Sequence, residues 1–285
     1  MPTSENQART LTEYYRRFHQ SYRDWGENPN QPGIYALHFG FNENQDGSNH
    51  QEAIRTTGLE LIKEGKFNNG DLVLDAGCGT GVIAFELSSR FPQSSIYGIN
   101  ISVDQLITAN VYRKMSGAIN VSLILQDYLS LGFKNGVFDK VLFCESLCHA
   151  DDKGVLLNEA VRVLKPDGMI VIADAFTFEE DLTDDKKKLF QQFMDGWHIP
   201  SLDSIDTFVS RMTEAGFDSV CINDMTNAVA TSMRLSGNYE QMRLLQDPDA
   251  DIERQIGRLG NIATRDLIMN HTLGYFFITG SKTQE

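Results

Sequence analysis

The chain has 285 residues, of which 41% are hydrophobic and 22% charged, with 23 glycines, 7 prolines and a formal net charge of −14. This length buries a sizeable core and fits one enlarged domain or one domain with a cap, and the mixed composition excludes collagen-like and disordered classes. So acidic a surface repels polyanions, which excludes nucleic acid and anionic membrane surfaces as expected partners. No apolar run approaches the ~18 residues needed to cross a bilayer, so no transmembrane segment is expected.

The opening MPTSENQARTLTEYY lacks the basic start and apolar core of a secretory signal, which points to a cytoplasmic protein. Residues 1–65 read as a helical, aromatic-rich N-terminal cap containing Tyr14, Tyr15, Phe18, Tyr22, Trp25, Tyr35, Phe39 and Phe41. Most of these rings are expected to pack as core, and residues 26–33 (GENPNQPG) form a loop by composition. From residue 71 the rhythm becomes strand, helix, strand. Strands are predicted at Leu72–Ala76, Ser95–Asn100, Val121–Gln126, Val137–Cys144 and Met169–Ala175, with helices near 82–90, 103–115 and 152–164. Asp151 or Asp152 caps the last of these helices, and Lys165-Pro166-Asp167-Gly168 marks its stop.

Alternating buried strands and helices predict an α/β fold, a doubly wound, mostly parallel sheet of Rossmann-like type with helices on both faces and a helical cap. Residues 66–176 would form this core and 177–217 the cap helices, the latter opening with the polar stretch 179–197 and followed by a helix near 203–215. Residues 218–285 would return to the core, with strands near 218–224 and 272–279 around a helical insertion at about 228–270. Ligands of such sheets bind at the carboxyl ends of the strands.

The strongest motif lies at such an end: Val73-Leu74-Asp75-Ala76-Gly77-Cys78-Gly79-Thr80-Gly81. Three glycines at alternate positions allow positive-φ turns and close approach of backbone to a ligand, and the helix that follows offers free N–H groups to an anion. A nicotinamide-binding loop needs G-x-G-x-x-G and an acid ending the second strand. Here the spacing is G-x-G-x-G and the second strand ends in Asn100, which disfavours an NAD-dependent oxidoreductase.

With this loop the chain resembles the class I methyltransferases that use S-adenosylmethionine. Within them it is similar to the group of sterol and tocopherol C-methyltransferases, isoprenoid diphosphate C-methyltransferases and natural-product sugar O-methyltransferases. The likeness runs from the YY…Y…WG…LHFGF segment (Tyr14 to Phe41) through LKPDG (Leu164 to Gly168), with a weaker echo in Trp197 to Leu202. The resemblance implies that Gly77, Cys78, Gly79 and Gly81 hold the methionine end of the cofactor and that Asp75 organises the loop. It places Asn100 at the ribose position, where the group often departs from an acid, and Gln105 on the adenosine side, within a stretch similar to G-I-T-L-S-x-x-Q. It puts Asp127 at the adenine amine with Tyr128 on the ring, and brings Tyr14 or Tyr15 to the methionine carboxylate.

Methyl transfer is an in-line displacement, so positioning carries much of it. A hydroxyl acceptor also needs a base oriented by a carboxylate, whereas an alkene carbon needs groups that stabilise a carbocation. The segment Phe143-Cys144-Glu145-Ser146-Leu147-Cys148-His149-Ala150 serves both readings. It resembles the E-A-T-C-H-A stretch of sterol C-methyltransferases and equally the E-S-L-x-H stretch of sugar and macrolide O-methyltransferases, in which the histidine is a base and a second acid ends the fifth strand. Asp174 stands at that place. Glu145 and His149, four residues apart, would share one face of a helical turn. Glu145, His149 and Asp174 are therefore the catalytic candidates, and His38, Phe39 and Trp197 the candidates for holding a small, mostly apolar acceptor.

Arg234, Arg243, Arg258 and Arg265 would hold phosphates if the acceptor were a diphosphate, the one case in which Mg²⁺ is expected. No resident metal is expected otherwise. Cys144, Cys148 and His149 are the nearest approach to a ligand cluster, but nothing completes it, and Cys78, Cys144, Cys148 and Cys221 read as reduced thiols. Carbon and oxygen acceptors stay balanced, a non-catalytic cofactor-binding protein is the other rival, and homo-oligomerisation is left open.

Overall fold

The computed structural model describes residues 4–27, 35–41, 50–178 and 181–284; most of the loop expected at 26–33, together with Glu179 and Glu180, lies outside the described residues. The chain begins with α1 (Ser4–Gly26) and α2 (His50–Glu64). The alternating core follows: β1 (Leu72–Ala76), α3 (Val82–Arg90), β2 (Ser95–Asn100), α4 (Val103–Ser116), β3 (Val121–Leu125), β4 (Phe138–Cys144), α5 (Lys153–Val163) and β5 (Leu164–Thr177). It continues with α6 (Asp184–Trp197), α7 (Ile205–Ala215), β6 (Phe217–Asp224), α8 (Thr226–Gln246), α9 (Ile252–Met269) and β7 (Leu273–Lys282).

The strands form one sheet in the order β3-β2-β1-β4-β5-β7-β6. β1 to β5 are mutually parallel, and β7 runs antiparallel between β5 and β6. Both faces are covered, so the central strands are apolar throughout and sort their side chains by the two-residue period. Val73, Leu142, Val171 and Phe277 face the layer that holds α2, α3, α6, α8 and α9. Leu74, Val141, Ile170, Ile172 and Ile278 face the layer that holds α5 and α7. The strand order reverses between β1 and β4, and the connections leaving their carboxyl ends diverge there and open a crevice.

Local chemistry sets several element ends. Ser102 caps α4 and Asp152, not Asp151, caps α5, its carboxylate accepting from Val155 N–H at 3.0 Å. Lys165-Pro166-Asp167-Gly168 is not a simple loop after α5. The helix ends at Val163 and β5 starts at once, and pairing with β4 jumps from Phe138–Leu164 to Lys140–Met169, so the four residues form an excursion within the strand. Lys165 anchors it, donating to both oxygens of Asp139 at 2.8 Å. α7, grouped with the cap on sequence, instead buries Phe208 and Met212 against the sheet beside α5. The helical stretch expected at 228–270 is the antiparallel pair α8 and α9. No helix among the described residues is long and apolar enough to cross a membrane.

α6 meets α9 through two glycines, and a methyl on Gly260 would come within 2.6 Å of Gly196 Cα. Because the obstacle is backbone, Gly260→Ala is expected to cost about 1–3 kcal/mol by overpacking. Thermal unfolding followed by circular dichroism should show the midpoint falling by roughly 2–10 °C. An unchanged midpoint would mean that the two helices part freely.

Candidate active site

The loop after β1 is built on glycine backbone. Gly77 and Gly79 have φ of 82° and 56°, a region side chains avoid, and both face obstacles. A Cβ on Gly77 would lie 2.5 Å from Ser146 Cβ, and one on Gly79 would lie 2.8 Å from Leu37 Cδ1. The N–H groups of Gly77 and Cys78 both donate to Ile99 O at 2.9 Å, which pins the loop to β2. α3 begins after Gly81, which has no side chain to cap it. Asp75 does this from the strand, accepting a hydrogen bond from Ala84 N–H. Its second oxygen, Oδ2, is buried without a partner, and burial pushes the carboxyl up to about 7.

Asn100 at the end of β2 turns its side chain back into the protein. Nδ2 donates to Gly79 O at 3.2 Å and to Gln105 Oε1 at 2.6 Å, while Oδ1 accepts from Ser102 N–H at 3.2 Å. Both amide hydrogens are therefore engaged, and Asn100 braces the glycine loop and positions Gln105. Asp127 accepts from Leu129 N–H at 2.8 Å, and the Tyr128 hydroxyl donates to Ser146 O at 2.8 Å, which fixes that ring against Phe143.

At the end of β4, Glu145 adopts φ 48°. Its Oε1 accepts from Phe39 N–H at 2.9 Å and from the Tyr275 hydroxyl at 2.7 Å, and burial pushes the carboxyl up to about 8. The helical turn expected to align Glu145 with His149 does not include Glu145: a short 3-10 turn covers only Leu147–His149. His149 is held by its two ring nitrogens, Nε2 lying 2.9 Å from the Tyr15 hydroxyl and Nδ1 3.5 Å from His198 O. A carbonyl only accepts, so Nδ1 carries the proton and Nε2 accepts from Tyr15. Burial lowers the imidazole to about 4 and holds the Tyr15 phenol well above its usual value, so in this pair the ring is neutral and the phenol protonated.

Asp174 departs from the expected role of orienting the His149 ring. Its oxygens accept from Cys148 N–H at 3.0 Å and Ala175 N–H at 2.8 Å, so it fixes the backbone of the turn that carries His149. Burial pushes Asp174 up to about 6. Burial also raises the Cys144 and Cys148 thiols well above their ordinary value, so both are neutral.

These groups border one cleft of about 1430 Å³: the glycine loop, Asp75, Asn100, Gln105, Asp127, Tyr128, Glu145, His149, Asp174 and Tyr15 all line it, as do His38, Phe39 and Trp197. His38 uses Nε2 on Ile54 O at 2.9 Å, and burial lowers it to about 4, which makes it a neutral brace. Trp197 lies 5.8 Å from Phe39, edge to face, with Nε1 donating to Thr264 at 2.8 Å. Tyr14 does not reach this cleft. Its hydroxyl pairs with that of Tyr22 at 2.8 Å, and its ring borders a second chamber. Sequence reasoning missed Tyr275, which reads as core within an apolar final strand, and His198, whose left-handed φ of 52° aims a carbonyl at His149.

A family model described as "Methyltransferase domain" matches residues 67–196. The sterol 24-C-methyltransferase of Eremothecium gossypii is 27% identical over 193 residues, 66% of this chain and 52% of that one. The chain thus spans about half the length of the sterol methyltransferases it matches, 44–52% of each. The 27-O-demethylrifamycin SV methyltransferase of Amycolatopsis mediterranei is 26% identical across 90% of this chain and 91% of its own. Among solved structures, the [4+2]-cyclase SpnF superposes with a TM-score of 0.78 at 22% identity, covering 100% of this chain and 97% of that one. The glycine loop, the strand order and these matches agree: residues 67–196 match a methyltransferase domain, and the chain is similar to S-adenosylmethionine-dependent methyltransferases.

Proposed function

We propose that the chain transfers the methyl group of S-adenosylmethionine to a hydroxyl of a small, mostly apolar natural-product acceptor in the cytoplasm. The observation that carries this reading is the 2.9 Å bond between the Tyr15 hydroxyl and His149 Nε2 at the wall of the cleft that holds the glycine loop. A net charge of −14 supports a small-molecule acceptor over a nucleic acid.

The cleft fits the cofactor. Asp75 Oδ2 is a buried acceptor in want of a donor, which suits the ammonium of the methionine moiety, and the amino terminus of α3 beside it suits the carboxylate. The crowding at Gly77 and Gly79 leaves backbone alone to face the ligand. Gln105, Asp127 and Tyr128 would hold the nucleoside end. When bound, the cofactor supplies a methyl group on an electron-poor sulfonium.

The residues of this chain manage the proton. His198 O keeps the His149 proton on Nδ1, and the neutral ring leaves Nε2 as a proton acceptor. Tyr15 links it to the acceptor: as the acceptor oxygen attacks, its proton passes to Tyr15 Oη while the phenol's own proton passes to His149 Nε2. Asp174 holds the turn so that the ring keeps this aim. A second reading, methylation of an alkene carbon, is favoured by Glu145, because Oε1 takes both of its hydrogen bonds and Oε2 is left for a developing cation.

Two predictions follow from these protonation states. In the free protein Asp75 titrates near about 7 and Glu145 near about 8, so both are largely neutral in mild acid. The cofactor carries net positive charge and favours their ionised forms, so binding should release protons near neutral pH and tighten as pH rises from about 6 to about 8. Titration calorimetry in two buffers of different ionisation enthalpy reads this proton release directly. Asp75→Asn should weaken binding about 10–100-fold, the worth of a hydrogen bond to a charged group, and binding that is pH-independent and unchanged in this variant would remove Asp75 from the site.

The second concerns catalysis. His149→Ala should lower turnover about 10²–10⁴-fold with cofactor affinity nearly intact, and Tyr15→Phe should share most of that loss. With the imidazole lowered to about 4, the acid limb of the rate profile should lie near that value and not near the ordinary histidine range. S-adenosylhomocysteine formation on the identified acceptor is the measurement. If Glu145→Gln is the crippling change and His149→Ala is silent, the carbon-acceptor reading stands instead.

A further inference from the structure

A second chamber of about 1180 Å³ adjoins the cofactor cleft and shares Tyr22, Leu37, Phe39 and Trp197 with it. Its inner wall adds Tyr14, Phe18 and Trp25, and its far wall is formed by α8 and α9. Four arginines border it: Arg17, Arg243, Arg254 and Arg258.

Each of these guanidinium groups has a carboxylate within 4.0 Å. Arg17 pairs with Glu13 and Glu253, and Arg254 lies 3.3 Å from Asp251. Arg258 donates to Asp247 Oδ2 at 3.0 Å and to Asp247 O at 2.9 Å, and Arg243 lies 3.8 Å from Glu240. Arg234 and Arg265 do not border the chamber, and Arg265 donates to Asp266, Asn238 and Gln241. A phosphate or diphosphate would compete with these carboxylates, so this wall favours one less than its arginines alone suggest.

Glu240 is the exception on the acceptor side. Its side chain is only 14% exposed, and both neighbouring guanidiniums stand at 3.8 Å, too far for a hydrogen bond. No hydrogen bond to its carboxylate is formed among the described residues, so its oxygens face the chamber as strong acceptors. Ser236, one helical turn away on α8, donates to Asn261 Oδ1 at 2.6 Å, and Asn261 Nδ2 donates to Gly257 O at 3.1 Å. This leaves lone pairs on the serine and the second amide hydrogen of Asn261 for a ligand. Glu240, Ser236 and Asn261 thus make a stripe rich in acceptors opposite aromatic faces. The two flanking arginines repel an amine, and the carboxylates beside the arginines compete with an anion.

We propose that this chamber binds the non-reacting end of the acceptor, and that this end is neutral and hydroxyl-bearing, stacked on the aromatic wall and donating its O–H groups to Glu240. This rests on the methyltransferase reading only for the word acceptor; the chamber and its chemistry are testable without turnover.

Both tryptophans of the chain, Trp25 and Trp197, border the chamber, so intrinsic fluorescence reports its occupancy. The probes are octyl β-D-glucoside, octyl phosphate and octylammonium, each titrated below its micelle concentration. The glucoside should give a saturable change and bind at least about tenfold more tightly than either charged probe. Glu240→Gln, with Ser236→Ala as an independent second variant, should remove about tenfold of the glucoside affinity while circular dichroism shows an intact fold. Tighter binding of octyl phosphate, no saturable response to the glucoside, or unchanged affinity in both folded variants overturns the proposal. Calorimetry with S-adenosylmethionine on the same wild-type preparation separates the two readings. Cofactor binding that survives such a failure leaves the proposed function standing, and its loss sinks that reading whatever the probes do.

Discussion

The burial of three carboxyl groups around one cleft is the constraint from which the rest of this structure follows. Asp75, Glu145 and Asp174 lie at or near the carboxyl ends of β1, β4 and β5, and none of them has an ion-pair partner within 4.0 Å among the described residues. A buried carboxylate without compensation is costly, so each draws backbone N–H groups from elsewhere. Asp75 takes Ala84 at the start of α3, Glu145 takes Phe39 from the N-terminal segment, and Asp174 takes Cys148 from the turn after β4. Three separate pieces of chain are thereby tied to the strand ends, and they are the pieces that shape the cleft. The incomplete compensation leaves all three groups raised towards neutrality. Such groups are poised to ionise when a cation arrives and to become neutral again when it leaves.

The C-terminal strand belongs to the same arrangement. β7 enters the sheet antiparallel to β5, in a register that sets Tyr275 opposite Ala175, one residue beyond Asp174. From there the Tyr275 hydroxyl reaches past β5 to Glu145, just after the end of β4. A parallel strand in this position would have brought its own end to the cleft; an antiparallel one brings its beginning. The first residues of β7 therefore line the cleft while the rest is core.

What could be read from the sequence was local. The strands are apolar because both faces of the sheet are covered, and the glycine loop announces itself by spacing, so the fold and the positions of Asp75, Glu145, His149 and Asp174 were legible. Their partners were not. Tyr15 reaches His149 across 134 positions, and Tyr275 reaches Glu145 across 130, distances at which no periodicity carries information. The expected bond from Asp174 to the His149 ring fails for a local geometric reason, since the 3-10 turn presents a backbone N–H to the carboxylate first. Asn100 was similarly legible as a strand end but not as a brace, because its partner Gln105 is set by the way Ser102 starts α4. Arg243, Arg258 and Arg265 read as free cations in sequence, and only the folded chain shows the acids beside them.

The likeness to a cyclase across the whole chain shows that this fold does not by itself dictate methyl transfer, so the reaction must be sought in side chains. Here α1 decides most. Successive helical residues point about 100° apart, and the neighbours Tyr14 and Tyr15 accordingly face different spaces: Tyr15 the cofactor cleft and Tyr14 the second chamber. Tyr22, two turns on, borders both and holds the Tyr14 hydroxyl. One helix is thus the partition between the two spaces and also the carrier of the phenol that touches His149. The ring that borders the chamber and the phenol that meets His149 sit on consecutive residues of one helix. The glycine loop is held by β2 through Ile99 and Asn100 and touches the N-terminal segment where Thr80 donates to Tyr35 O. The glycine loop thus rests on the parallel sheet, while the phenol that meets His149 comes from the helix laid across it.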